Sequence, residues 1–65
     1  MKSGQMIKVR GYGGKELIRR VVQLKKDIVE ICSPEEYEAA HSEGREPVTV
    51  GFHITDVIDE NIEEI

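Results

Sequence analysis

Cys32, His41 and His53 are the side chains of this 65-residue chain best suited to nucleophilic or metal chemistry. A thiolate beside an imidazole is an activated nucleophile, and the same three donors with a carboxylate could complete a zinc site. Structural zinc sites draw their ligands in close pairs, whereas these three stand nine and twelve residues apart. A Cys-His nucleophile needs a cleft and an oriented base, and so short a chain has little room for either. The spacing therefore predicts no catalytic group, no metal and no cofactor. Cys32 reads as the last inward residue of a strand, its thiol acting as a small apolar group.

Gly11-Tyr12-Gly13-Gly14-Lys15 has the look of a phosphate cradle, since glycine turns expose backbone amides to anions. The full phosphate-loop motif needs serine or threonine after the lysine, and Glu16 stands there, so the segment reads as a plain turn. The bases are more suggestive. Residues 1–26 hold eight bases and one acid, a balance of +7, while residues 27–65 hold one base and twelve acids, a balance of −11. Lys8, Arg10, Lys15, Arg19 and Arg20, with Tyr12 among them, could line one face of a sheet and meet a nucleic acid through phosphate contacts and one stacking ring. The net charge of −4 opposes that. In a small fold the simpler expectation is cross-strand pairing of these bases with acids such as Glu30 or Glu46.

The elements that must carry these residues are few. Sixty-five residues make one small domain that buries roughly 60% of its unfolded surface. A single cysteine cannot form an internal disulfide, which points to a reducing compartment. No apolar stretch approaches the ~20 residues that span a bilayer, and the N-terminus lacks the apolar core of a secretion signal, so the expected location is cytoplasmic with no membrane element. With 38% hydrophobic residues and three aromatic rings, the core must be built from aliphatic, largely β-branched side chains.

Met6-Ile7-Lys8-Val9-Arg10 alternates apolar with basic, the pattern of a strand with one wet face. Residues 15–32 admit two readings. Leu17, Val21, Leu24, Ile28 and Ile31 recur at helical spacing, yet valines and isoleucines flank the polar Lys25-Lys26-Asp27, which favours two strands, 17–24 and 28–32. Ser33-Pro34-Glu35-Glu36 is a helix start, with a serine cap, proline in the first turn and a glutamate placed to close a capping box. That helix should run from Pro34 to about Ser42, end at Gly44, and bury Tyr37, Ala40 and His41. Residues 48–52 read as a strand with Val48, Val50 and Phe52 on one side. Ile54, Val57 and Ile58 suit either a helical turn or a final short strand.

Gly51-Phe52-His53-Ile54-Thr55-Asp56-Val57-Ile58 resembles the closing segment of small Src-homology-type β-barrels. In that family a glycine and an aromatic residue end a strand, a turn of 3₁₀ helix follows, and a valine opens the last strand. His53 stands where the family usually has proline, and the paired tryptophan and tyrosine-rich acidic loop are absent. The resemblance implies a compact barrel topology and no particular ligand.

The expected fold is therefore mainly β with one short helix: a small barrel of the Src-homology (SH3-like) type, or a strongly bent antiparallel sheet of four or five strands, with the helix between the third and fourth. The alternative is a long helix over residues 15–32 on a small sheet. Residues 6–59 should form the domain, with a flexible N-terminus over residues 1–5 and an acidic tail over residues 60–65. Ile58, Ile62 and Ile65 of the tail share a helical face that could dock on a partner. By elimination the function expected is a non-catalytic interaction module that binds another protein or itself, with nucleic-acid binding as the alternative. Tyr12, Arg19, Arg20, Tyr37 and Phe52 are the candidate contact residues, because aromatic and arginine side chains dominate interface energetics.

Overall fold

A computed structural model describes residues 1–60 and Ile62. Five antiparallel strands and one α-helix follow in the order β1 (Met6–Arg10), β2 (Glu16–Lys25), β3 (Ile28–Cys32), α1 (Pro34–Glu43), β4 (Val50–His53) and β5 (Val57–Asp59). They form one sheet ordered β4-β3-β2-β1-β5, so the chain meanders through four strands and then returns β5 to the side of β1. A 3₁₀ turn at Ile54–Asp56 makes that return. This is the mainly β topology expected above.

Residues 15–32 form a hairpin, and the long-helix alternative is overturned. The β-branched side chains prefer the pleated surface, and the two-residue turn at Lys26-Asp27 reverses the chain, with Lys26 in the left-handed region at φ 52°. β2 serves two partners in succession. Residues 16–20 pair with β1 and residues 20–25 with β3, and one extra residue is inserted between Val21 and Gln23. Such a bulge bends the strand and sharpens its twist, so a ten-residue strand can turn the corner between the two halves of the sheet.

The concave face carries the core. Ile7 and Val9 of β1, Val21 of β2, and Val29 and Ile31 of β3 are fully buried, with Met1, Leu17, Phe52 and Val57 packed against them. Alternation along β1 sends Lys8 outward between two buried residues. The N-terminal residues are tied to β2: Gly4 N–H donates to the Val21 carbonyl (2.7 Å), and Val21 N–H donates to the Gln5 carbonyl (2.8 Å).

α1 starts and stops on local chemistry. Ser33 Oγ accepts the Glu36 N–H (3.0 Å), Pro34 fills the first turn, and Gly44 closes the helix at φ 67°, a conformation glycine adopts without penalty. Two details differ from expectation. Glu36 does not fold back to complete a capping box; its carboxylate reaches forward to Arg45 and Val48. His41 is exposed, because α1 presses on the sheet through Ala40, with Tyr37 half-buried beside it.

β4 also begins later than the sequence pattern suggests. Val48 and Val50, on the same side as Phe52 as expected, are 75% and 60% exposed and line an edge. The final segment adopts both forms foreseen for it, the 3₁₀ turn and then β5. The expected tail face of Ile58, Ile62 and Ile65 lies partly outside the described residues.

Candidate interaction surface

Among the described residues β4 has one strand neighbour, β3, and its other side is open. The register pairs Ile31 with Val50, Val29 with Phe52 and Ile28 with His53, and one step on, Ile54 N–H donates to the Asp27 carbonyl (2.8 Å). Hydrogen-bonded positions alternate along an antiparallel ladder, so Val50 and Phe52 turn their backbone groups toward β3. Gly51 and His53 of β4 present theirs to the open side, and Thr49, one residue ahead of the strand, stands in the same phase.

The concave side of this edge leads into a groove of about 410 Å³. Ile31 forms its floor, Leu17 and Phe52 its walls, and the exposed Val48 and Val50 its rim. Arg19 is the one charged residue that β2 turns to the concave face, since it pairs across from Ile7, and it too lines the groove. Its guanidinium donates to the carbonyl of Ile18 (2.8 Å). The first turn of α1 closes the far end through Ser33 and Glu36, where Arg45 and the Val48 N–H hold the Glu36 carboxyl down at about 2, well below the usual carboxylate range.

Cys32 lies at the same end, buried and free of any disulfide. Burial pushes its thiol up, the Glu36 charge pushes the same way, and the weaker pull of Arg19 and Arg20 does not reverse the shift. The neutral thiol is therefore favoured, the opposite of what a nucleophilic cysteine needs. Among the described residues no three histidine, cysteine or acidic side chains come together as metal ligands. His53 instead caps the 3₁₀ turn, its Nδ1 accepting the Thr55 N–H (3.2 Å).

The five candidate contact residues fall in three places. Arg19 and Phe52 share the groove. Arg20 and Tyr37 lie on the convex side, the guanidinium 5.6 Å from the ring centre, where Arg20 also donates to the Gly4 carbonyl (2.8 Å) and so staples the N-terminal residues and α1 to the sheet. Tyr12 stands alone at the tip of the β1–β2 loop, 99% exposed in a 3₁₀ turn with Arg10 and Lys15 at its two ends. The single basic face that the nucleic-acid alternative would use does not form: Lys8, Arg10 and Arg20 point to one side of the sheet and Arg19 to the other, as period-two alternation requires.

Neutralisation between the two halves does occur at Glu30, though its partner is Lys25 (3.8 Å) and not one of the bases singled out from the sequence. Lys8 pairs with Glu16 of its own half (3.5 Å), and Glu46 offers Arg45 its backbone carbonyl. Compared with family models, with curated proteins and with solved structures, the chain finds no match in any of the three. Its surface has to be read on its own chemistry.

The sequence pattern sets Val48 and Val50 on the same side as Phe52, as found, but does not mark them as the most exposed apolar pair. The signal that could have found them is charge: residues 47–55 are the longest run without Asp, Glu, Lys or Arg in a chain that is 34% charged. Sheet edges are ordinarily guarded by charge, proline or brevity; β4 is short at four residues, but it carries neither charge nor proline.

Proposed function

We propose that this protein is a small non-catalytic interaction module that receives an extended polypeptide along the open side of β4. The exposed, uncharged edge at Val48 and Val50, continuous with the apolar groove, is the observation that carries the reading. Backbone groups of Thr49, Gly51 and His53 would give affinity by strand addition, while the groove beside Phe52 and Arg19 would select side chains. Burial of the lone thiol favours this over nucleophilic chemistry at Cys32, and a free, buried cysteine suits a protein of the reducing cytoplasm. No helix among the described residues is long and apolar enough to cross a membrane.

Selection from a displayed library of random extended peptides tests the reading. Peptides enriched on the wild-type protein should be lost on Val50→Lys, which puts a charge on the rim. Enrichment that survives this substitution would remove β4 as the binding edge.

A second reading, nucleic-acid binding, is favoured by one observation: the fully exposed Tyr12 ring with cations at both ends of its loop. It predicts oligonucleotide affinity that falls steeply with salt and drops in Tyr12→Ala. No binding at low salt would eliminate it.

A further inference from the structure

We infer that the polypeptide β4 receives is a second copy of this chain, the two β4 strands pairing antiparallel about a two-fold axis at Gly51. The inference rests on the reading of β4 as the binding edge and names its occupant.

Three observations carry it. The first is backbone polarity: Gly51 and His53 of β4 face the open side, with Thr49 in phase with them just ahead of the strand. An axis at Gly51 sets Gly51 against its own copy and Thr49 against His53 of the second copy, so each outward residue meets an outward residue, as a hydrogen-bonded antiparallel pair requires. The second is the side-chain register that follows. Val50 falls opposite Phe52 of the other copy, so apolar meets apolar within the paired strands, with Val48 and Ile54 in the same phase just beyond their two ends. A slip of the pairing by one residue would set outward-facing backbone groups against inward-facing ones and lose this match.

The third is charge. The molecule carries a net −4, so two copies repel wherever their charged surfaces meet. Along residues 47–55 there is no formal charge to repel, and an uncharged apolar strand is complemented by another of its kind. The opposite edge of the sheet argues for closure at two copies. β5 is three residues long, and Asp56, Asp59 and Glu60 surround it, which disfavours further strand addition there. A two-fold pairing through β4 uses up the open edge on both copies and covers the rim of both grooves.

Sedimentation velocity of the wild-type chain over a range of concentrations, combined with a crosslinking pair, tests the inference. The expected result is a species of twice the 7.4 kDa chain mass, lost in Val50→Lys and in Thr49→Pro, which removes an outward N–H without touching the β3 ladder. Mixing Thr49→Cys with His53→Cys protein under mild oxidation should give a disulfide-linked heterodimer well above the yield of either variant alone, because directly opposed residues lie about 5.5 Å apart at Cα, within disulfide reach.

A wild-type protein that sediments as a monomer throughout overturns self-pairing. So does a dimer indifferent to both substitutions, or a crosslink no better in the mixture than in the single variants. The library selection then separates the two proposals: peptides enriched on the wild type and lost on Val50→Lys keep β4 as an edge for other chains, and their absence removes that reading as well.

Discussion

The carboxylate of Glu36 accepts the backbone N–H of Val48 at 2.9 Å, tying the first turn of α1 to the approach to β4. Arg45 completes the tie, its Nη1 donating to Glu36 Oε2 at 2.6 Å and its Nε to Glu43 Oε1 at 2.8 Å. The partners are partly exposed, so solvent screens them, and their value lies in fixing where the open edge begins. Glu36 has its carboxyl lowered to about 2, chiefly by the hydrogen bond from Arg45 and then by Val48. Its ordinary value in an unfolded chain is about 4.3. A depressed folded value means that the stabilisation is complete above the ordinary value and disappears as pH falls through about 2. Glu36→Ala should therefore lower the urea midpoint at pH 6 and narrow the gap to wild type at pH 2. A gap of equal size at both pH values would show that the carboxylate is not the source.

The second prediction concerns how little stability the fold has to lose. Ile31 is fully buried, paired to Val21 on one side and Val50 on the other, and forms the floor of the groove. Ile31→Ala should cost about 2 to 5 kcal/mol. A core of this size rarely supplies more than about 3 to 5 kcal/mol in total, so the variant should be largely unfolded at 37 °C. Val48→Lys, at an exposed rim position, should stay within about 0.5 kcal/mol of wild type. Thermal melts of the two followed by circular dichroism provide the check, and equal losses would mean that the packing described for Ile31 is wrong.

Local signals were legible and topological ones were not. Ser33, Pro34 and Gly44 announce the ends of α1 because a cap works through neighbours a few residues away, with no help from the rest of the fold. The hairpin of β2 and β3 was legible for a similar reason, as β-branched runs flank a polar turn. Glu36 was misread because its partners, Arg45 and Val48, lie nine and twelve residues on and come near only once Gly44 turns the chain. The shared side of Val48, Val50 and Phe52 was legible but their exposure was not, because alternation says which side of a strand is apolar and not whether the strand ends up inside a sheet or at its margin. Arg19 and Arg20 show the same limit: adjacent in sequence, they lie on opposite faces and do different work.

Cys32 supplies the third prediction. Burial raises its thiol, and Glu36 adds to the rise, so the reactive thiolate is scarce near neutral pH. Modification by a disulfide reagent at pH 7.5 should be many-fold slower in the folded protein than in the chain unfolded in denaturant. A raised folded value also means that the unfolded thiol ionises first, so the stability supplied by the buried thiol should fall as pH climbs above the ordinary thiol range. Rapid stoichiometric labelling of the folded chain would contradict the burial described here.

Lys26 supplies the last prediction, and its direction is toward greater stability. It is the one non-glycine residue among those described with a positive φ, 52°, forced there because Lys25 pairs with Ile28 and only two residues remain to reverse the chain. A left-handed conformation costs a side-chain-bearing residue about 1 to 2 kcal/mol, and glycine escapes that cost while giving up some entropy in the unfolded chain. Lys26 is exposed, so little packing opposes the exchange. Lys26→Gly should raise the stability by up to about 1 kcal/mol, and Lys26→Asn by less, since asparagine tolerates the left-handed region better than lysine. Urea midpoints of the three proteins at pH 7 measure the order. Lysine ranking highest would mean that the turn is not strained as its backbone angle indicates.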